Sequence, residues 1–315
     1  MSTAALSNPV FTNEKAAVKH LEASRWPDGP YCPHCGSVNV LRMGGETQRG
    51  MFLCRDCRDK FTPRTGTVLE RSHIPVHKWL LAIHLLSSSK KGCSTHQLHR
   101  SLGITYKSAW FMAHRIREAM KPDSKTSPLG GRGKVIEADE TYYGRAEVPI
   151  KRIRKTKKGQ TGPGPKNPIL ALVERGGRVR SFHVKSASAD TVREALFRHA
   201  SRKSVLHTDE SALYIGVGRA FEDHETVKHT AYEYVRGDVH TNTVEGVFSI
   251  FKRGMRGIYQ HCSEAHLQRY LSEFDFRYNY RIALGYNDTD RADAALKGIV
   301  GKRLTYRRTS EAAHA

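Results

Sequence analysis

Apolar residues recur along this chain with two different periods, and the change from one to the other divides it. Ala17, Val18 and Leu21 fall at helical spacing within residues 13–25, so a short helix is expected there, stopped by the turn-forming run Pro27-Asp28-Gly29-Pro30. Residues 76–86 are apolar almost all round and predict a buried helix, with residues 87–92 as the loop after it. Two further helices follow closely. The first opens on Ser94, whose hydroxyl can accept a free backbone N–H, carries Leu98 and Leu102, and stops at Gly103; the second starts near Thr105. On that second helix Ala109, Met112, Ala113, Ile116 and Met120 share one face, while Lys107, Trp110, His114 and Arg117 fall roughly opposite. The spacing is that of a helix-turn-helix, whose second helix enters a major groove, and also that of an ordinary helical hairpin with a solvated face.

Residues 121–134 are rich in Lys, Ser, Pro and Gly and read as a linker; beyond them the period shortens. Apolar runs at 135–139, 168–173, 179–184 and 204–209 predict strands, with a helix over 191–199, so this half is α/β. The expected divisions are a helix with a cysteine-rich knot over 13–70, a helical segment over 71–124, an α/β domain over 131–285 and a tail over 286–315. Residues 151–166 hold seven Lys/Arg and no acid among Gly and Pro, which predicts an exposed loop able to lie along a phosphate backbone.

Composition changes the picture at one point. The 315 residues hold 52 Lys+Arg against 31 Asp+Glu, a formal charge of +21, and such an excess calls for an anionic partner. Nucleic acid answers that description. A membrane surface is the rival, but the longest apolar run, residues 79–86, contains a histidine and is too short to span a bilayer. The charge tips the helical pair toward double-stranded DNA, with Lys107 and Arg117 as contacts. The opening Met-Ser-Thr-Ala-Ala-Leu-Ser has neither a basic nor an apolar signal region, so a cytoplasmic protein with reduced thiols is expected. No Walker A run is present, which argues against an ATP-driven mechanism.

Cys32-Pro-His-Cys35 and Cys54-Arg-Asp-Cys57 are two CxxC pairs 18 residues apart, a spacing that lets four thiolates converge on one tetrahedral zinc. Iron or a pair of disulfides are the alternatives; reduced thiols disfavour bridges, and zinc is the commoner occupant of such ribbons. Four thiolates leave no open position, so that zinc is structural. His34 is expected at the surface, and Cys93 and Cys262 as small buried side chains.

Asp139 ends one hydrophobic strand and Asp209 another, while Glu245 falls on a helix that also puts Asn242, Ser249 and Lys252 on the same face. Three convergent carboxylates are costly without divalent cations, and hard oxygen ligands suit Mg²⁺ or Mn²⁺. Two such ions support in-line displacement at phosphorus. Glu137, Glu140 and Glu210 lie near enough in sequence to compete for the same roles.

The motifs Ile136-Glu-Ala-Asp139-Glu-Thr-Tyr-Tyr-Gly144, His207-Thr-Asp209-Glu, Asn242-Thr-Val-Glu245 through Lys252, and Phe276-Arg-Tyr-Asn-Tyr-Arg281 follow the cysteines and the helices in that order. Over roughly residues 15–285 the chain thereby resembles the ISXO2-like insertion-sequence transposases, which join an N-terminal zinc ribbon to an RNase H-like DDE domain. The resemblance implies a mixed-sheet α/β catalytic domain in which Asp139 and Asp209 are the first two metal-binding acids. Glu245, with a basic residue seven positions on, is implied as the third, and Asn242 as a further contributor. It also implies water and then a DNA 3′-OH as nucleophiles, terminal inverted repeats and target DNA as partners, and at least a dimer to pair two DNA ends. Lys252 and Arg253 would then touch phosphates near the scissile bond, with Arg256 a weaker candidate. Tyr142 and Tyr143 are expected to pack the sheet edge, His240 to lie at a helix start as a cap or surface residue, and Phe274, Phe276, Tyr278 and Tyr280 to close the core. Three other readings stand beside this one. A metal-dependent nuclease or resolvase on the same fold needs less upstream apparatus, a zinc-ribbon regulator leaves the second domain unexplained, and a transposase relic binds DNA without cutting it.

Overall fold

The computed structural model describes residues 5–45, 50–123, 126–146 and 166–305, and the chain divides into two units, residues 1–121 with 285–315, and residues 122–284. Most of the basic stretch expected as a loop, residues 151–165, lies outside the described residues. Among the described residues no helix is long and apolar enough to cross a membrane.

In the first unit Asn13 accepts from the Ala16 amide and starts helix α1 (Glu14–Arg25), which turns Ala17 and Leu21 inward. Strands β1 (Val40–Arg42), β2 (Phe52–Cys54) and β3 (Lys60–Phe61) then form a small antiparallel sheet. Its core is little more than Trp26, Phe52 and Phe61, with Phe52 and Phe61 stacked at 5.4 Å, between Cys32 and Cys54. Helices α2 (Val76–Ser88), α3 (Thr95–Leu102) and α4 (Tyr106–Met120) follow, with Ser94 and Thr105 as N-caps and Gly103 left-handed at φ +56° between the last two. The caps and the helix-turn-helix spacing match those expected. Helix α2 has no cap of its own at Pro75; Glu14 of α1 instead accepts from the Val76 and His77 amides at 2.9 and 3.1 Å.

Residues 122–284 form a five-stranded sheet in the order β6-β5-β4-β7-β8. The central strand β4 (Val135–Tyr143) runs antiparallel to β5 (Asn167–Glu174), which runs antiparallel to β6 (Val179–His183). On its other side β4 is parallel to β7 (Val205–Asp209), and β7 to β8 (Asp223–Val227). This is the mixed sheet expected of an RNase H-like domain. Alternation along the strands feeds two cores. Ile136, Ala138, Leu170, Leu172 and Leu206 face α5 (Ala189–His199) and α6 (Ala212–Gly218), whereas Ile169, Ala171, Val173 and Val179 face α7 (Asn242–Gly254) and α8 (Glu264–Asn279). A short hairpin, β9 (Val235–Arg236) and β10 (Val239–His240), leads into α7.

Strand β6 is an edge whose outward backbone groups would otherwise face water or another chain. Side chains from one face of α8 take them up. Asn279 accepts from the Val179 amide at 2.7 Å and donates to its carbonyl at 3.0 Å; Asp275 accepts from the Ser181 amide and hydroxyl at 2.6 and 2.7 Å; Gln268 accepts from the His183 amide at 2.8 Å and donates to the Ser181 carbonyl at 3.0 Å. Burial pushes the Asp275 carboxyl up to about 6 against the pull of those Ser181 bonds. Phe274 and Phe276 are buried as expected, whereas Tyr280 lies past the end of the helix.

The segment after Gly285, from which the sequence promised little, returns to the first unit as α9 (Asp288–Lys297) and packs on α1, α2 and α4. A Cβ on Gly298 would meet the Ala119 carbonyl oxygen of α4 at 2.3 Å, so only glycine allows this approach. Arg291 donates to the Ser87 carbonyl at 2.9 Å and Lys302 to the carbonyls of Ala119 and Lys121, so cations finish α2 and α4. Burial corrects one expectation. His114 and Arg117 are each 1 % exposed, so Arg117 is no surface contact for DNA; Trp110 on the same face is half-buried, and Lys107 near the helix start is exposed.

Replacing Asp275 with Ala strips both Ser181 bonds and is expected to cost about 2 kcal/mol, seen as a lower thermal midpoint. An unchanged midpoint would show that the β6 edge does not depend on α8.

Candidate metal centres

In the ribbon the turns after Pro33 and Arg55 bring both CxxC pairs to one point. The ligand atoms of Cys32, Cys35, Cys54 and Cys57 all lie within 4.8 Å of one another, and the Cys32–Cys57 and Cys35–Cys54 sulfurs stand 3.6 Å apart. Thiolates ~2.3 Å from a tetrahedral zinc sit ~3.8 Å from each other, so the spacing suits zinc and is far too long for disulfides. All six cysteines are free thiols. Amides of Cys57 and Asp56 draw the Cys54 thiol down to about 7. Cys57, although the Asp59 amide pulls it down, is pushed up to about 12 by loss of solvent and by the neighbouring sulfurs. Four thiolates therefore need a cation to coexist. His34 is exposed and outside this group, and Cys93 is buried.

The second centre lies where β4 runs on past its pairing with β7: Asp139, expected to end its strand, stands mid-strand, because β4 continues to Tyr143. Glu137 of β4 pairs with His207 of β7 in parallel register, so two residues further on Asp139 and Asp209 emerge from adjacent strands on the same face. Glu245 stands in the first turn of α7, with the Thr241 hydroxyl donating to it at 3.1 Å. Burial first, then the charges of Asp209, Glu140 and Glu245, push the Asp139 carboxyl up to about 7, against the Glu140 amide that holds it down. The three acids thus share one electrostatic site, although among the described residues only the cysteines form a group as tight as 4.8 Å. Asn242, Glu245 and Ser249 are exposed on α7, and half-buried Lys252 feels the Asp139 charge. Arg253 is exposed and turns its Nε back to the Ser249 carbonyl. A π-helical turn, Met255–Tyr259, follows directly and carries exposed Arg256.

The competing acids are engaged elsewhere. Glu140 points to the opposite face and accepts from buried Tyr214 at 2.6 Å, and Glu210 accepts from the Thr230 amide and hydroxyl. Glu137 is fully buried; it accepts from Arg175, from the Thr243 amide and hydroxyl, and from the Val244 amide. His240, expected as a cap or surface residue, lies half-buried within 3.4 Å of Glu137. Tyr143 packs on Phe251 as expected, whereas Tyr142 is exposed.

Residues 128–279 match the ISXO2-like transposase domain family, and residues 12–60 match the transposase zinc-ribbon domain family. An uncharacterized protein in transposable element ISH50 of Halobacterium salinarum is 31 % identical over 280 residues, covering 85 % of this chain and 91 % of that protein. The chain belongs to the ISXO2-like transposases. Likenesses to solved structures are distant. A simian T-cell lymphotropic virus intasome in complex with a PP2A regulatory subunit gives 16 % identity and a TM-score of 0.29 over 57 % of this chain and 63 % of that one, under two thirds of its length. The Mos1 strand transfer complex gives 12 % and 0.23 over 66 % and 78 %. Neither adds to the assignment. A DDE domain of this family implies a divalent cation, and the crowded oxygen donors around Asp139 suit one of hard character.

Two outcomes follow from these centres. Purified protein should carry one tightly held zinc, and Cys54→Ser should lose it and open the ribbon to proteolysis; full retention of zinc would contradict the four-thiolate site. At Asp139 the raised carboxyl keeps a proton that the unfolded chain has released, so stability falls as pH rises from about 4 to about 7. Without added divalent cation, Asp139→Asn should therefore raise the thermal midpoint by a few degrees at about pH 8 and leave it unchanged near pH 4. A loss of stability at the higher pH would contradict the charge crowding.

Proposed function

We propose that this chain cuts and joins double-stranded DNA at the ends of an insertion sequence, through a divalent-cation centre held by Asp139, Asp209 and Glu245. The observation that carries the reading is the delivery of three mutually repelling carboxylates to one place by two parallel strands and a helix, in a chain of formal charge +21. Mg²⁺ or Mn²⁺ bound there would supply activation of the attacking oxygen and stabilisation of the leaving 3′ oxygen. The chain's own residues orient the substrate around that chemistry. Lys252, beside Asp139, meets the phosphate at the scissile bond, with Arg253 and Arg256 along the adjoining backbone, and Asn242 assists Glu245 from one turn before it. Lys107, at the exposed start of α4, contacts the duplex backbone outside the cleavage site. Terminal inverted repeats and then target DNA are the substrates, and pairing two ends requires at least a dimer.

The test is a Mg²⁺- or Mn²⁺-dependent cleavage and strand-transfer assay on DNA bearing the element's ends. Asp139→Ala, Asp209→Ala and Glu245→Ala are each expected to abolish both steps while end binding persists; Asn242→Ala should only reduce them. Cleavage without strand transfer by the unaltered chain would favour a nuclease, and binding without cleavage a relic that retains only recognition.

A further inference from the structure

We propose that Arg175 is a positioning residue for the divalent-cation centre, its guanidinium fastening together the three elements that carry Asp139, Asp209 and Glu245. The inference rests on the reading of that centre given above. Arg175 opens the turn after β5 and touches none of the three acids' carboxylates directly; it holds their neighbours. Its Nε and Nη2 donate to Glu137 Oε1 at 3.0 and 2.9 Å, Nη2 also lies 3.2 Å from His207 Nδ1 and 3.3 Å from His240 Nδ1, Nη2 donates to the His240 carbonyl at 3.2 Å, and Nη1 to the Asp238 carbonyl at 2.8 Å.

Each contact is geared to one acid. Glu137 stands two residues before Asp139 on β4 and His207 two before Asp209 on β7, so both share the sheet face of the acid they precede. Asp238 and His240 belong to the hairpin that enters α7. Glu137 carries the linkage onward, because its other oxygen accepts from the Thr243 and Val244 amides at 2.8 and 3.0 Å, where Thr241 gives α7 no side-chain cap. His207 Nδ1, 3.2 Å from Arg175 Nη2, meets a group that can only donate, so it takes the acceptor's part. One planar group reaches both strands and the hairpin together, with the two Nη2 hydrogens shared among Glu137, His207 and His240, and a lysine ammonium cannot.

The test uses the full-length, zinc-loaded chain and the variants Arg175→Met, Arg175→Lys and the double variant Glu137→Gln/Arg175→Met. Mn²⁺ affinity by calorimetry and hydrogen exchange of the Thr243 and Val244 amides are read beside cleavage of end DNA. Arg175→Met and Arg175→Lys should weaken Mn²⁺ binding about 10- to 100-fold, with faster exchange at both amides and unchanged affinity for end DNA. The double variant, which no longer buries an unpaired charge, should regain its thermal midpoint without regaining Mn²⁺ affinity. Recovery of both together would reduce Arg175 to a counter-charge and overturn the inference, as would unchanged Mn²⁺ affinity and exchange in the single variants. If Arg175→Met does not fold, Arg175→Lys decides alone. An unaltered chain that binds Mn²⁺ through Asp139 yet never cleaves DNA counts against the transposition reading, while affinity and exchange still judge Arg175.

Discussion

Like charges brought together on one face of a β-sheet push apart, and the second unit brings three of them to one place. The repulsion is visible in the Asp139 carboxyl, held at about 7 by burial and by Asp209, Glu140 and Glu245. What holds their carriers is a hydrogen-bonded pair beside them. Fully buried Glu137 and half-buried Arg175 join the strand of the first acid to the strand of the second and to the helix of the third. Sheet pairing sets the spacing of Asp139 and Asp209, and α7, pinned by its first amides, brings Glu245 to them. A divalent cation bound as proposed above would complete what the protein leaves electrostatically incomplete.

The first unit solves its own problems with the same device, polar groups lent to a helix by a distant segment. Glu14 from α1 starts α2 as Glu137 from β4 starts α7, and Arg291 and Lys302 from the returning tail finish α2 and α4. Each link spans many residues of chain, so each adds tertiary closure as well as satisfying an end group. The ribbon has too few apolar side chains for that strategy, and its four sulfurs take over the task through a metal.

Local signals carried well from sequence to structure. Helices start at Ser94 and Thr105 where the turn residues and apolar spacing placed them, the cysteine pairs converge, and strands β4 to β7 lie at the apolar runs. Strand β8 was not legible because Asp223-His-Glu-Thr-Val is polar along most of its length; its register comes from pairing with β7. Arg117 misled for the opposite reason. Helical periodicity put it opposite the apolar face, but α4 packs against α2, α3 and α9, and Arg117 is buried with the rest. Glu137 and Arg175 were the harder omission. Glu137 looked like a competitor of Asp139 for the metal, and only the side-chain geometry shows it spent on α7; its place between Ile136 and Ala138 in an apolar run was the available hint.

The most direct measurement is to load the chain with Fe²⁺ in place of Mg²⁺, generate hydroxyl radicals with ascorbate and peroxide, and map the backbone cuts by mass spectrometry. Cuts are expected at three places distant in sequence, around Asp139, Asp209 and Glu245, all suppressed together by excess Mg²⁺. Cuts confined to one of them, or spread without regard to these residues, would contradict a shared metal centre.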